Sequence, residues 1–141
     1  MDNLDSITKL SQLVELAIND MASVKKDKRY KFDVYKWHVP EGNKCFVCVA
    51  GAIMAKSLSC NWEMEYQLSH FRNRDRRLLE SLDLLRNGHI YLARELLFKT
   101  GICINIDKLN TCYMDVDHLS LQKGYLNSWK KLLRLLKEND L

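Results

Sequence analysis

Proline is almost missing from this chain: Pro40 is the only one in 141 residues, and glycine occurs just five times. That scarcity excludes a collagen-like repeat, a Pro/Gly-rich linker and a low-complexity tail. Long hydrophobic runs are missing as well. The longest stretch without a charge, Cys45 to Ala55, has eleven residues, too few to span a bilayer. The first twenty residues carry Asp2, Asp5, Glu15 and Asp20 with no basic stretch at the start, which is not the pattern of a secretory leader. The expectation is a cytoplasmic protein with no membrane association. Neither sign of charge dominates, since the formal net charge is +4, too small by itself to indicate nucleic-acid binding. Cysteine occurs five times, at Cys45, Cys48, Cys60, Cys103 and Cys112. An odd count in a reducing compartment argues against a disulfide framework and for free thiols.

What is present is ample apolar material: 47% of residues are hydrophobic and 28% charged, enough for a self-supporting core. No repeat or linker divides the chain, so residues 1–141 read as a single globular domain. Leu4, Ile7, Leu10, Leu13, Val14, Ala17, Ile18 and Met21 recur at helical spacing and predict one amphipathic helix ending near a lysine cluster. Tyr30, Phe32 and Val34 alternate with polar residues, predicting a half-buried strand that runs to Trp37 and stops at Pro40 and Gly42. Asn43 then reads as the N-cap of a helix from Lys44 to about Leu58, apolar on every face and therefore central. Leu78, Leu79, Leu82 and Leu85, then Asn87-Gly88, then Ile90, Ala93, Leu96 and Leu97, closed by Gly101, predict a helical hairpin. Ile102, Ile104 and Ile106 alternate and predict a second short strand pairing with residues 30–37. Leu126 to Leu136 gives a last amphipathic helix. The fold expected is mainly α, a compact bundle of about five helices around a central apolar helix, with a small two-stranded β-ribbon.

Candidate chemistry gathers in three places. Cys45-Phe46-Val47-Cys48 at a helix start is where free N–H groups and Lys44 would favour a thiolate. It also has a spacing common among zinc ligands, with Cys60 or His70 to complete a tetrahedron. Against redox chemistry, no proline faces the pair as in thioredoxin-like folds. Against zinc, no second tight ligand pair occurs; Cys103, Cys112 and His118 are loosely spaced. A nucleobase deaminase is excluded because none of His38, His70, His89 or His118 begins the His-x-Glu that such chemistry requires. Nucleophile elbow, phosphate-binding glycine loop and metalloprotease signatures are also missing. The expectation is therefore no catalytic residue, no cofactor and no metal, with Cys45 and Cys48 the pair to watch and interior packing as their main role.

The second and third places are basic. Residues 1–24 carry a net −3, residues 25–31 a net +4 and residues 72–77 a net +3. Lys28 and Arg29 in one run, and Phe71, Arg72, Arg74, Arg76 and Arg77 in the other, have the composition of a contact with nucleic acid or an acidic partner. Solvated turns are the plainer explanation. Trp37 and His38 are either a recognition patch or a cover over the start of the buried helix.

Trp37…Pro40-x-Gly42-x-x-Cys45-x-x-Cys48-x-Ala50-Gly51-Ala52-x-Met54-Ala55 resembles a segment shared by a loose group of small uncharacterised proteins encoded largely by tailed bacteriophages. In that group a later segment matches Leu82, Leu85, Arg86, Gly88 and Ala93, and a leucine helix led by Trp or Phe matches Trp129 to Leu136. The likeness touches about half the chain and brings no catalytic residues with it. It implies a viral accessory protein inside a bacterial cell, of a kind that works by binding and disabling a host protein. The sequence thus leads first to a non-enzymatic interaction protein with a host protein as partner. The alternatives are a zinc or thiol protein and a small nucleic-acid binder. Oligomeric state is not legible.

Overall fold

The computed structural model describes residues 3–116, 119 and 125–141; His118 lies outside them. Leu10, Leu13, Val14, Ala17, Met21 and Val24 form one buried side of α1 (Leu10–Lys26). The helix starts later than its apolar periodicity. Gln12 Oε1 accepts from the backbone N–H of Thr8 at 2.7 Å and of Lys9 at 3.1 Å, and this fixes the first turn. Leu4 and Ile7 still reach the core, from a short 3-10 helix at Asn3–Ser6 and the segment after it.

The largest departure from expectation is at residues 38–48. Lys44 does not open a helix. It opens a strand, β3 (Lys44–Val47), which pairs antiparallel with β2 (His38–Glu41) and parallel with β1 (Tyr30–Phe32) in a sheet of order β1-β3-β2. The expected two-stranded ribbon with residues 102–106 is therefore replaced by a three-stranded sheet. Glu41 pairs with Lys44 across a two-residue Gly42-Asn43 loop. Gly42 has φ 64°, and glycine first in such a loop is a hairpin composition. Pro40 does not stop a strand. It lies inside β2, which is an edge strand, where the missing N–H costs no ladder hydrogen bond.

The central helix exists but is short. α2 (Val49–Ala55) has every residue buried and packs against α1, β2, β3 and α3 (Asn73–Arg86). Its N-cap is Cys48, not Asn43, and the sulfur accepts from Gly51 N at 3.4 Å. A Cβ on Gly51 would stand 1.6 Å from the carbonyl oxygen of Trp37. Glycine is thus what lets the chain entering β2 lie against the helix.

The helical hairpin is as expected, α3 followed by α4 (Ile90–Lys99). Residues 102–105 are not a strand. Ile102 and Ile104 are buried, and Asn105 Oδ1 accepts from Asp107 N at 2.9 Å and Lys108 N at 3.1 Å. That cap starts a helix the periodicity did not predict, α5 (Ile106–Met114). α6 (Tyr125–Glu138) packs on α1, and Tyr125 stacks on Phe32 with ring centroids 3.8 Å apart. The fold is mainly α, with six α-helices among the described residues rather than about five. No helix among those residues is long and apolar enough to cross a membrane.

Candidate functional site

Period two along β3 turns Cys45 and Val47 inward, and the hairpin lays His38 close to Cys45. Cys45 Sγ is 3.5 Å from His38 Nδ1 and 3.7 Å from Nε2. His38 Nδ1 is 2.8 Å from the Met64 carbonyl oxygen, so Nδ1 carries the proton and donates it there. Nε2 is then left as an acceptor beside the thiol. Tyr66 and Tyr30 stand edge-on to the imidazole, with centroids at 5.1 Å and 6.2 Å.

A Cys–His pair is the outline of an activated nucleophile, but burial reverses the chemistry. Both side chains are 0% exposed. Burial pushes the Cys45 thiol up to about 11 and lowers the His38 pKa. Both groups are therefore neutral near pH 7, where nucleophilic work needs a thiolate. The same holds for Cys48, whose thiol burial also pushes up to about 11 while its sulfur caps α2. Cys60 is half-buried and likewise raised to about 11 by burial. Cys112 accepts from Asn139 Nδ2 at 3.3 Å and points its thiol at the Leu135 carbonyl oxygen. Among the described residues no three His, Cys, Asp or Glu side chains are grouped to hold a metal ion. Cys45 and Cys48 are interior groups, in the strand and at the helix cap.

The other sequence candidates separate. His38 is not part of a surface patch. Trp37 is half-buried against the core, and its carbonyl oxygen faces Gly51. Phe71 likewise packs against the core. Arg74 is an internal strut: its Nη1 donates to Leu4 O at 2.6 Å, its Nε to Thr100 O at 3.2 Å and its Nη2 to Ile7 O. Arg72 and Arg76 are exposed and Arg77 half-buried. Because Arg74 ties the start of α3 to the segment before α1, the 72–77 run sits near the N-terminal end of α1. Lys28 and Arg29 follow its C-terminal end. Seventeen residues of helix separate the two, about 25 Å at 1.5 Å per residue. The two basic runs do not form one surface.

Residues 25–31 gain partners that sequence spacing could not show. Asp27 accepts from Arg29 Nη2 at 2.8 Å and from Lys56 Nζ at 2.8 Å. The Arg29 guanidinium foremost, with Lys56, holds its carboxyl well below the usual carboxylate range. Lys44, from β3, donates to the Lys28 carbonyl oxygen.

The surface that sequence reasoning missed is on α4. Ala93 and Leu97 are 0% exposed, but Tyr91, Leu92 and Phe98 are 68%, 57% and 62% exposed. A cleft of about 190 Å³ runs beside Leu92, lined by Glu80 and Leu84 of α3 and by Glu95, Leu96 and Lys99 of α4. The signal was in the sequence. Ile90-Tyr91-Leu92 and Leu96-Leu97-Phe98 put apolar residues on more sides of a ten-residue helix than one core contact can cover. A larger, shallow cleft of about 400 Å³ lies along α1 between Ser6 and Asn19, and includes neither thiol nor imidazole. Comparison with protein-family models, curated proteins and solved structures finds no match.

Proposed function

We propose that this chain is a non-enzymatic interaction protein that holds a partner protein on the outer face of α4. The observation that carries this reading is the exposure of Tyr91, Leu92 and Phe98 on a helix whose opposite side is sealed by Ala93 and Leu97. Exposed apolar residues scattered singly are ordinary, whereas three on one short helix beside a cleft mark a contact surface. Two of the three are aromatic, the type that anchors protein interfaces. Cys45, Cys48 and His38, the side chains that sequence spacing singled out for chemistry, are buried and neutral, which weakens the case for an enzyme built on them. The likeness of the Trp37–Ala55 segment to small tailed-phage proteins supports a bacterial host protein as the partner, bound and thereby modulated.

The test is affinity capture from bacterial lysate, with wild type beside Leu92→Glu/Phe98→Glu. The expected result is a defined protein retained by wild type and lost from the variant, while both melt at the same temperature. Retention by both, or by neither, overturns the reading.

A further inference from the structure

We infer that the end of the molecule where α1 meets the sheet binds the phosphate backbone of nucleic acid, independently of the α4 face. The fold assembles this site from three separate stretches. Lys25 and Lys26 close α1, Lys28, Arg29 and Lys31 run through the loop into β1, and Lys44 and Lys56 arrive from β3 and the end of α2. Asp27 is the only acid within residues 25–31, and it is occupied by Arg29 and Lys56. Glu41, opposite Lys44 in the hairpin, is taken by Lys36, and Asp20 is turned inward to Ser57. Among the described residues no carboxylate pairs with Lys25, Lys26, Lys28 or Lys31, all of them exposed.

The helix dipole accounts for cations in the last turn of α1. It does not account for Lys28, Lys31, Lys44 and Lys56, which lie outside that helix. Arg29 and Lys56 share the single carboxylate of Asp27, so the cations gathered here outnumber the acid among them, and such an excess raises a local positive field. Every exposed residue from 25 to 31 is a lysine or arginine, and the one aromatic there, Tyr30, is buried. This stretch thus offers charge without an apolar anchor, unlike a protein hot spot or a helix that inserts among lipids. A regular polyanion fits such a surface.

The experiment is fluorescence anisotropy of a fluorescein-labelled duplex of about 20 base pairs, titrated with wild-type protein over a salt series. If the four unpaired lysines each neutralise one phosphate, log K falls against log salt with a slope of about −3.6, roughly 150-fold between 50 and 200 mM. Lys25→Glu/Lys28→Glu/Lys31→Glu should remove most of the binding and of the slope. Arg72→Glu/Arg76→Glu, at the far end of α1, should leave both unchanged. Circular dichroism verifies that the variants fold, as substitutions of exposed side chains should. No binding at 50 mM salt, binding that survives the triple lysine reversal, or an equal loss from the two reversals overturns the proposal. So does binding only to vesicles of phosphatidylserine and phosphatidylcholine and not to the duplex, which would make this end a membrane contact. Keeping α4 intact in every variant separates this outcome from that of the α4 reading.

Discussion

The sheet with α2, residues 30–55, and the α3–α4 hairpin, residues 73–99, both carry large apolar side chains but orient the notable ones in opposite directions. In the first region the reactive side chains Cys45, Cys48 and His38 face inward, and α2 has no exposed residue. In the second, Ala93 and Leu97 seal the core while Tyr91, Leu92 and Phe98 face solvent. Each exposed side chain forgoes about 1.5–3 kcal/mol of burial. α2 places all of its apolar surface in the core, whereas α4 leaves three large apolar side chains facing solvent. Residue type alone draws attention to the cysteines; orientation is what supports the proposed contact at the leucine and the aromatics of α4.

The comparison breaks most readily at Gly51. In Gly51→Ala the new methyl collides with the Trp37 carbonyl oxygen, a backbone atom with no rotamer to escape into. The expected loss is about 3 kcal/mol or more, a fall in Tm of about 10 °C or failure to fold. An unchanged thermal melt would show that the interior is not closed as described.

Arg74 sharpens the comparison from the other region. Arg74→Ala takes the guanidinium donor from the carbonyl oxygens of Ile7 and Thr100, and from that of Leu4, which keeps Ile7 N at 3.2 Å, and should cost about 2–4 kcal/mol. Arg76→Ala, on the same helix but exposed, should stay within about 0.5 kcal/mol. Chemical denaturation of both variants measures the gap, and equal values would return Arg74 to the solvated surface.

These residues also show what sequence could and could not reveal. The amphipathic stripes of α1, α3, α4 and α6 were legible because each helix has one buried side, and periodicity records burial directly. The residue 44–55 run was not, because β3, whose outer face carries the apolar Phe46, runs straight into a helix buried on all sides, and the two read as one apolar stretch. The Gly42-Asn43 loop was the available clue to a hairpin, outweighed by reading Asn43 as a cap. α5 was missed because Ile102, Ile104 and Ile106 alternate by chance: two fill the core from irregular chain and the third begins a helix. Among site residues, Lys44 and Lys56 could not be joined to residues 25–31 by spacing alone, since only the folded sheet brings them there. Arg74 looked identical to Arg72 and Arg76 in sequence. Its neighbours across the fold make it a strut.

His38 provides a pH test of the closed region. Burial lowers its pKa below the ordinary 6.5, so the unfolded chain takes up a proton that the folded chain refuses. Stability from this group is complete above pH 6.5 and falls as pH drops below it, by up to about 1.4 kcal/mol per pH unit until the folded pKa is reached. Urea titrations between pH 7.5 and 5.5 should show that slope, and His38→Gln should flatten it. A wild type equally stable across the range would mean that the imidazole reaches water.

The smallest expected effect is the most decisive for the open region. Leu92→Ser/Phe98→Ser removes two large apolar side chains, and in a core such a change would cost several kcal/mol. On the outside of α4 these side chains have little surrounding structure to lose, so stability should move by no more than about 0.5 kcal/mol. A larger loss would mean that the hairpin is packed as tightly as the sheet, and that its exposed row belongs to folding instead of binding. A stable variant that no longer retains the captured protein would place the association energy where the fold leaves it unspent.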